Sequence, residues 1–241
     1  MTLKEKKVVD KEGERVDAFS KYKKDSRAWG AWAESAVSIN SPDAILKLVP
    51  ILKKHGVEKV IDVGCGNGRN SLLLAKEGFN VVAFDYSAEA LKTVRDRAKD
   101  EKLEVHTLLG TVKDMQMIPD GMFDAVISCH VVDLYKMHDI KKVVNELKRI
   151  LKSEGIAMIV VFSDDSKMFR DRTSNVNHGV EIEKKTVVYN QFEAWHNLMY
   201  HFFSKKEMKE LFKDFKILSL EKMRQDEDKF WVLVAEKIAG S

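Results

Sequence analysis

Cysteine is scarce in this chain: there are two, Cys65 and Cys129, in 241 residues. That excludes a disulfide framework and a multi-cysteine zinc site. Long apolar runs are missing too. The longest, such as Ile156 to Phe162, fall far short of the bilayer's thickness,. Lys4, Glu5, Lys6 and Lys7 stand where a signal peptide would carry its apolar stretch, so a cytoplasmic protein is expected,. Charge of one sign is absent as well. The 41 basic residues are matched by 38 acidic ones for a net charge of +3, and the signs are interspersed. No Lys/Arg block with interleaved aromatics occurs, so no nucleic-acid partner is expected. Internal repeats and low-complexity segments are also missing.

What is present suits one solvated globular core: 44% hydrophobic and 33% charged residues,. From Lys59 onward short apolar runs alternate with helical patterns, which predicts a doubly wound α/β fold with a mostly parallel, seven-stranded sheet. Strands are expected at Val60–Val63, Val81–Phe84, Glu104–Leu109, Phe123–Ser128, Ile156–Phe162, Lys216–Leu220 and Phe230–Ala235. Arg224 to Lys229 suit a hairpin loop between the last two. Helices are expected from Arg69 to Lys76 and after Ser87. A third carries the stripe Ile140, Val143, Val144, Leu147, Ile150 and Leu151, with Gly155 as its breaker,. Ser204 and Glu207 form a capping-box pattern before Met208, Leu211 and Phe212,.

The chain divides, within a single domain, into an N-terminal helical segment (1–57), a core (58–162), an insertion (163–203) and a C-terminal helix with hairpin (204–241). The N-terminal segment has Tyr22, Trp29 and Trp32, which either close over a ligand or pack on the sheet edge,. Its last helix starts at Ser41-Pro42-Asp43 and stops at Gly56,. The insertion is too long for an ordinary loop. Its alternating Val180 and Ile182, then Val187 to Tyr189, and the aromatics from Trp195 to Phe203 argue for ordered strands, read as a lid.

The informative stretch is Asp62-Val63-Gly64-Cys65-Gly66-Asn67-Gly68. Glycines at alternate positions after a buried strand allow a tight turn and close approach to a ligand. The next helix aims free N–H groups at that ligand. In a dinucleotide fingerprint the third glycine falls one residue later; here Arg69 occupies that place,. Asp85, at the end of the second strand, can accept hydrogen bonds from two ribose hydroxyls in either kind of adenosine ligand.

The pattern Asp-x-Gly-x-Gly-x-Gly resembles class I S-adenosylmethionine-dependent methyltransferases, with their Rossmann-like sheet. The resemblance implies S-adenosyl-L-methionine as cofactor and S-adenosyl-L-homocysteine as product. It puts Asp62, Gly64, Cys65, Gly66 and Gly68 at the methionine end, Asp85 at the ribose and Tyr86 beside the adenine. Thr111 stands where the family often has an acidic adenine contact, with Val112 following; Asp114 is a possible substitute. After the fourth strand, Ser128-Cys129-His130-Val131 replaces the Asn/Asp-Pro-Pro-aromatic motif of adenine and amide-nitrogen methyltransferases. Ser128 would line the cofactor. His130 either takes a proton from the acceptor or merely walls the pocket.

The tail from His201-Phe202-Phe203-Ser204 looks like the small-molecule branch that includes the tellurite-resistance methyltransferases. It implies a small-molecule acceptor, with His201 as the lid histidine closest to it. The alternatives are a protein or nucleic-acid methyltransferase and a non-catalytic S-adenosylmethionine-binding protein. His178, His196 and His201 lack a metal-ligand spacing, so no metal is expected. Cys65 and Cys129 read as small buried residues rather than redox groups.

Overall fold

The structure is a computed structural model that describes residues 41–112, 115–173, 179–189 and 198–240. The aromatic segment with Tyr22, Trp29 and Trp32 lies outside the described residues, as do Asp114, His178, Trp195 and His196.

The first described element is α1 (Ser41–Lys54), which carries Pro50 within it. The alternation then follows: β1 (Lys59–Val63), α2 (Arg69–Lys76), β2 (Asn80–Asp85), α3 (Ala88–Asp100), β3 (Val105–Leu109) and β4 (Phe123–Cys129). A 3-10 turn, Val132–Leu134, leads into α4 (Met137–Ile150) and β5 (Leu151–Phe162). The insertion holds α5 (Lys167–Arg170), β6 (Gly179–Glu183), β7 (Thr186–Tyr189) and β8 (Leu198–His201). The chain closes with α6 (Lys205–Leu211), β9 (Phe215–Gln225) and β10 (Asp228–Lys237).

Seven strands form one sheet in the order β3-β2-β1-β4-β5-β10-β9. The first five are mutually parallel; β10 runs antiparallel to both β5 and β9. The order reverses between β1 and β4, and the crevice at such a switch point is where open α/β sheets bind ligands. Alternation along the strands fills two layers. Ile61, Val126, Ile159 and Leu233 face α4 and α6; Val60, Ile127, Met158 and Val232 face α1 and the insertion. The stripe Ile140, Val143, Val144, Leu147 and Ile150 is fully buried. Each such side chain stabilises by about 1.5–3 kcal/mol.

Two boundaries differ from expectation. Gly155 does not stop α4: the helix ends at Ile150, where Leu151 turns extended, and Gly155 lies within β5. A Cβ there would stand 2.9 Å from the Lys152 carbonyl, so the glycine serves an irregular strand entry. The hairpin loop is also shorter than Arg224–Lys229. Both strands extend into it, with Gln225 paired to Asp228, because Asp226 adopts φ 52° and closes the turn in two residues,.

The insertion is ordered where described. Strands β6, β7 and β8 form a separate antiparallel sheet. Its base is pinned, since the Phe203 N–H donates to Phe162 O and the Asp164 N–H to Phe203 O. Lys185, in the β6–β7 turn, reaches both Asp164 and Glu207 at 2.8 Å. Ser204 and Glu207 form the full reciprocal cap of α6. No helix among the described residues is long and apolar enough to cross a membrane.

Candidate active site

The glycine loop leaves β1 next to Ser128, which pairs with Val63. Gly64, Gly66 and Gly68 all have positive φ, at 75°, 53° and 80°. The Gly64 and Cys65 N–H groups donate to Phe84 O, folding the loop against the end of β2. A Cβ on Gly64 would stand 2.1 Å from Val131 Cγ2, and one on Gly68 2.7 Å from Val94 Cγ2. At Gly66 a Cβ would meet nothing within 4 Å among the described residues, so they leave the loop open on that side. Gly68 is the N-cap of α2 and makes no side-chain capping hydrogen bond, while the Ser71 backbone amide bonds the Asp62 carboxyl.

Asp85 joins loop and strand. Its Oδ2 accepts the Gly66 N–H at 2.9 Å and its Oδ1 the Ser87 N–H at 2.8 Å. The Tyr86 backbone amide adds a third hydrogen bond to this carboxylate. Burial pushes the Asp85 carboxyl up from its ordinary value, against the pull of these amides. Its backbone carbonyl accepts the Gly110 N–H, which brings Thr111 and the buried Val112 to the same strand ends. Tyr86 follows directly, and Ser87 caps α3 as expected.

Beneath the loop, Asp62 is buried and takes the Ser71 hydroxyl's hydrogen bond at 2.6 Å. Burial raises its pKa to about 6. Both thiols are pushed up by burial, with Asp85 adding to the effect at Cys65 and Asp62 at Cys129. These are protonated cysteines, in keeping with the small-residue reading. The Ser128 hydroxyl is buried without a hydrogen-bond partner among the described residues.

His130 follows β4 with φ 55°, a backbone conformation uncommon for a residue with a side chain,. Its Nδ1 lies 3.0 Å from Asp133 Oδ2. His201 is placed differently. Its Nδ1 meets the Thr186 hydroxyl at 2.8 Å, and Thr186 in turn donates to Glu183 Oε1. That same Glu183 oxygen accepts the Met137 N–H at the start of α4. His201 thus belongs to a latch fastening the small sheet to the core, and its ring packs on Phe203 rather than on His130.

The structure therefore places Asp62, Gly64, Cys65, Gly66, Gly68, Asp85, Tyr86, Thr111, Val112 and Ser128 at or just past the carboxyl ends of β1 to β4, with His130 following β4 and its neighbour Val131 against Gly64. His201 stands apart in the latch. Four contributors escaped the sequence reading: Ser71 under Asp62, Arg97, which holds Asn67 O at 2.9 Å, Val131 over Gly64, and Asp133. Only Asp133 carried a usable signal, its spacing of three from His130. Among the described residues no cluster of potential metal ligands occurs.

Residues 61–159 match the family described as Methyltransferase domain. The sheet order and the glycine loop agree with this match, which covers less than half of the chain. Among curated proteins it is similar to the ubiquinone biosynthesis O-methyltransferase of Rickettsia akari, 27% identical over 46% of this chain and 43% of that protein. The match thus spans less than half of that relative's length. Among solved structures it is similar to a SAM-dependent methyltransferase from Methanosarcina mazei, with TM-score 0.68 and 21% identity over 79% of this chain and 98% of that one. It is also similar to TehB from Haemophilus influenzae, with TM-score 0.59 and 19% identity over 87% of this chain and 67% of the other.

Proposed function

We propose that this protein transfers a methyl group from S-adenosylmethionine to a small-molecule acceptor, releasing S-adenosylhomocysteine. The carrying observation is the joint between loop and strand: a buried Asp85 carboxylate fixed by the Gly66 and Ser87 amides beside a glycine loop open at Gly66. In this reading Asp85 accepts from the ribose with the acceptor capacity that its three backbone amides leave,. The positive N-terminal end of α2 faces the carboxylate of the methionine end, with Asp62 opposite its ammonium. Tyr86, Thr111 and Val112 border the adenine, while Gly64, Cys65, Gly68 and Ser128 supply close-packed walls.

The cofactor brings an already electrophilic methyl carbon, so the chain's own work is proximity, alignment and exclusion of water. No protein nucleophile is required. His130, just past β4, is the imidazole beside these strand ends that can accept a proton, and His201 holds the lid. A small acceptor is supported by the similarity to the Rickettsia ubiquinone biosynthesis O-methyltransferase and by the interspersed charge,. The two free cysteines, kept as thiols, suit the cytoplasm as its compartment,.

The test is incubation with S-adenosylmethionine labelled in the methyl group and a panel of small phenols, amines and thiols. The expected result is a labelled small product formed one-for-one with S-adenosylhomocysteine. Label appearing only in added protein or nucleic acid would overturn the acceptor class, and cofactor binding without any transfer would overturn the enzyme.

A further inference from the structure

We propose that Asp133 positions His130 as the proton acceptor of the transfer, and that the acceptor is therefore a hydroxyl on a flat apolar body, a phenol or enol. This deepens the methyltransferase reading and rests on it.

Asp133 is fully buried and the His130 side chain is 9% exposed. Burying an ionisable pair is costly, and a packed apolar pair would stabilise a core at least as well. Such pairs are found where their chemistry is used. Asp133 Oδ2 also accepts the Phe162 N–H at 3.1 Å, so it already acts as an acceptor. The imidazole facing it at 3.0 Å must then donate from Nδ1,. That fixes one tautomer: Nδ1 carries the proton and Nε2 keeps its lone pair. Nε2 is buried and has no hydrogen-bond partner among the described residues. Such a buried atom calls for a partner, the role a ligand or a water fills here.

The backbone agrees. The left-handed conformation of His130 places its ring back over the 3-10 turn that carries Asp133, three residues on. Strain of this kind persists where surrounding contacts over-determine it, often at a functional site. Val131, the next residue, rests against Gly64 of the cofactor loop.

The surroundings set the acceptor's body. The His130 ring lies 4.8 Å from the Phe162 ring and 5.0 Å, edge-on, from Phe230. Phe162 continues to Tyr200 at 5.2 Å and Phe202 at 5.6 Å. A group reaching Nε2 arrives beside aryl rings, which favour a flat apolar carrier. The choice of atom follows from the base. A thiol near neutrality supplies its own anion, whereas a phenol must lose its proton as it reacts. The hydroxyl proton passes to Nε2, and the oxygen's electron pair forms the bond to the methyl carbon. That carbon's bond to sulfur breaks with its pair left on sulfur. The imidazolium is balanced by Asp133 and later returns its proton to water.

The test uses the full chain labelled with nitrogen-15 histidine. Long-range proton–nitrogen correlation spectra reveal each tautomer, and His130→Gln identifies the His130 signal. The expected spectrum has Nδ1 protonated and Nε2 bare, with and without S-adenosylhomocysteine. Asp133→Asn should reverse or scramble that tautomer while melting and S-adenosylhomocysteine binding stay near wild type. With S-adenosylmethionine and catechol, both variants should lose about a hundredfold or more in kcat, the scale of general base catalysis. With an acidic nitrophenol, already ionised at neutral pH, they should lose far less. A protonated Nε2 in the wild type would overturn the dyad, as would equal losses on both phenols. Turnover of amines or thiols alone would overturn the acceptor class. Failure of S-adenosylhomocysteine to bind would instead bring down the methyltransferase reading beneath it.

Discussion

Gly64 and Asp62 are the residues at which chemistry and stability meet. At Gly64 a methyl group meets two obstacles, a φ of 75° and the Val131 side chain at 2.1 Å. Gly64→Ala should cost about 2 kcal/mol or more in stability, read as a lower melting temperature, and should weaken S-adenosylhomocysteine binding in calorimetry. Asp62 makes a prediction in pH. Its folded pKa of about 6 lies above the ordinary carboxylate value, mainly through burial. The folded state therefore holds the proton longer than the unfolded one, and stability falls as pH rises from about 4 to about 6. Asp62→Asn keeps an acceptor for Ser71 and removes the buried charge. It should be more stable than wild type above pH 6, by up to about 3 kcal/mol, and no more stable near pH 4. Urea melts at the two pH values decide this; an equal difference at both would remove the buried-charge account. The loop and Asp85 were legible because their geometry is local and glycine marks it. Asp133 was not, because its pairing depends on a left-handed His130 that no composition announces.

Element by element, what the sequence carried was periodicity, and what it missed were the ends. The α4 stripe and the β7 pattern are strong because one face of each is buried. Where α4 stops was obscured, since Leu151 is buried both as the end of a helical stripe and as the start of a strand. The hairpin loop looked long because its charged residues continue as exposed positions of the two strands. Two element-level contacts yield predictions. Ser204→Ala removes the reciprocal cap of α6 and should cost about 1 kcal/mol, seen as a lower denaturant midpoint with an unchanged slope. Thr186→Val breaks the latch of His201, Thr186 and Glu183. It leaves buried polar groups short of partners, at a cost of about 1–3 kcal/mol. Hydrogen exchange should quicken in β7 and β8 while β1 and β4 stay protected. Uniform change across the sheet would mean the latch is an ordinary part of the core.

At the level of the whole molecule, alternation of strands and helices was enough to give a mostly parallel seven-stranded sheet, because the buried parallel strands are continuous apolar runs. The strand order was beyond reach. Nothing local states that β10 inserts between β5 and β9; that is a contest among edges decided by packing. The small three-stranded sheet was visible as alternation, yet its attachment through Lys185, Asp164 and Glu207 depends on side chains distant in sequence. The order matters for function because it sets the switch point between β1 and β4, where loop, Asp85 and His130 converge. One calorimetric experiment addresses that convergence: titration of the full chain with S-adenosylhomocysteine, then with NAD, and repetition of both with Asp85→Ala. The account predicts one site for S-adenosylhomocysteine, no heat from NAD, and an affinity at least tenfold weaker in the variant, as loss of hydrogen bonds to a charged group implies. Binding of NAD instead, or of S-adenosylhomocysteine with undiminished affinity in Asp85→Ala, would contradict it.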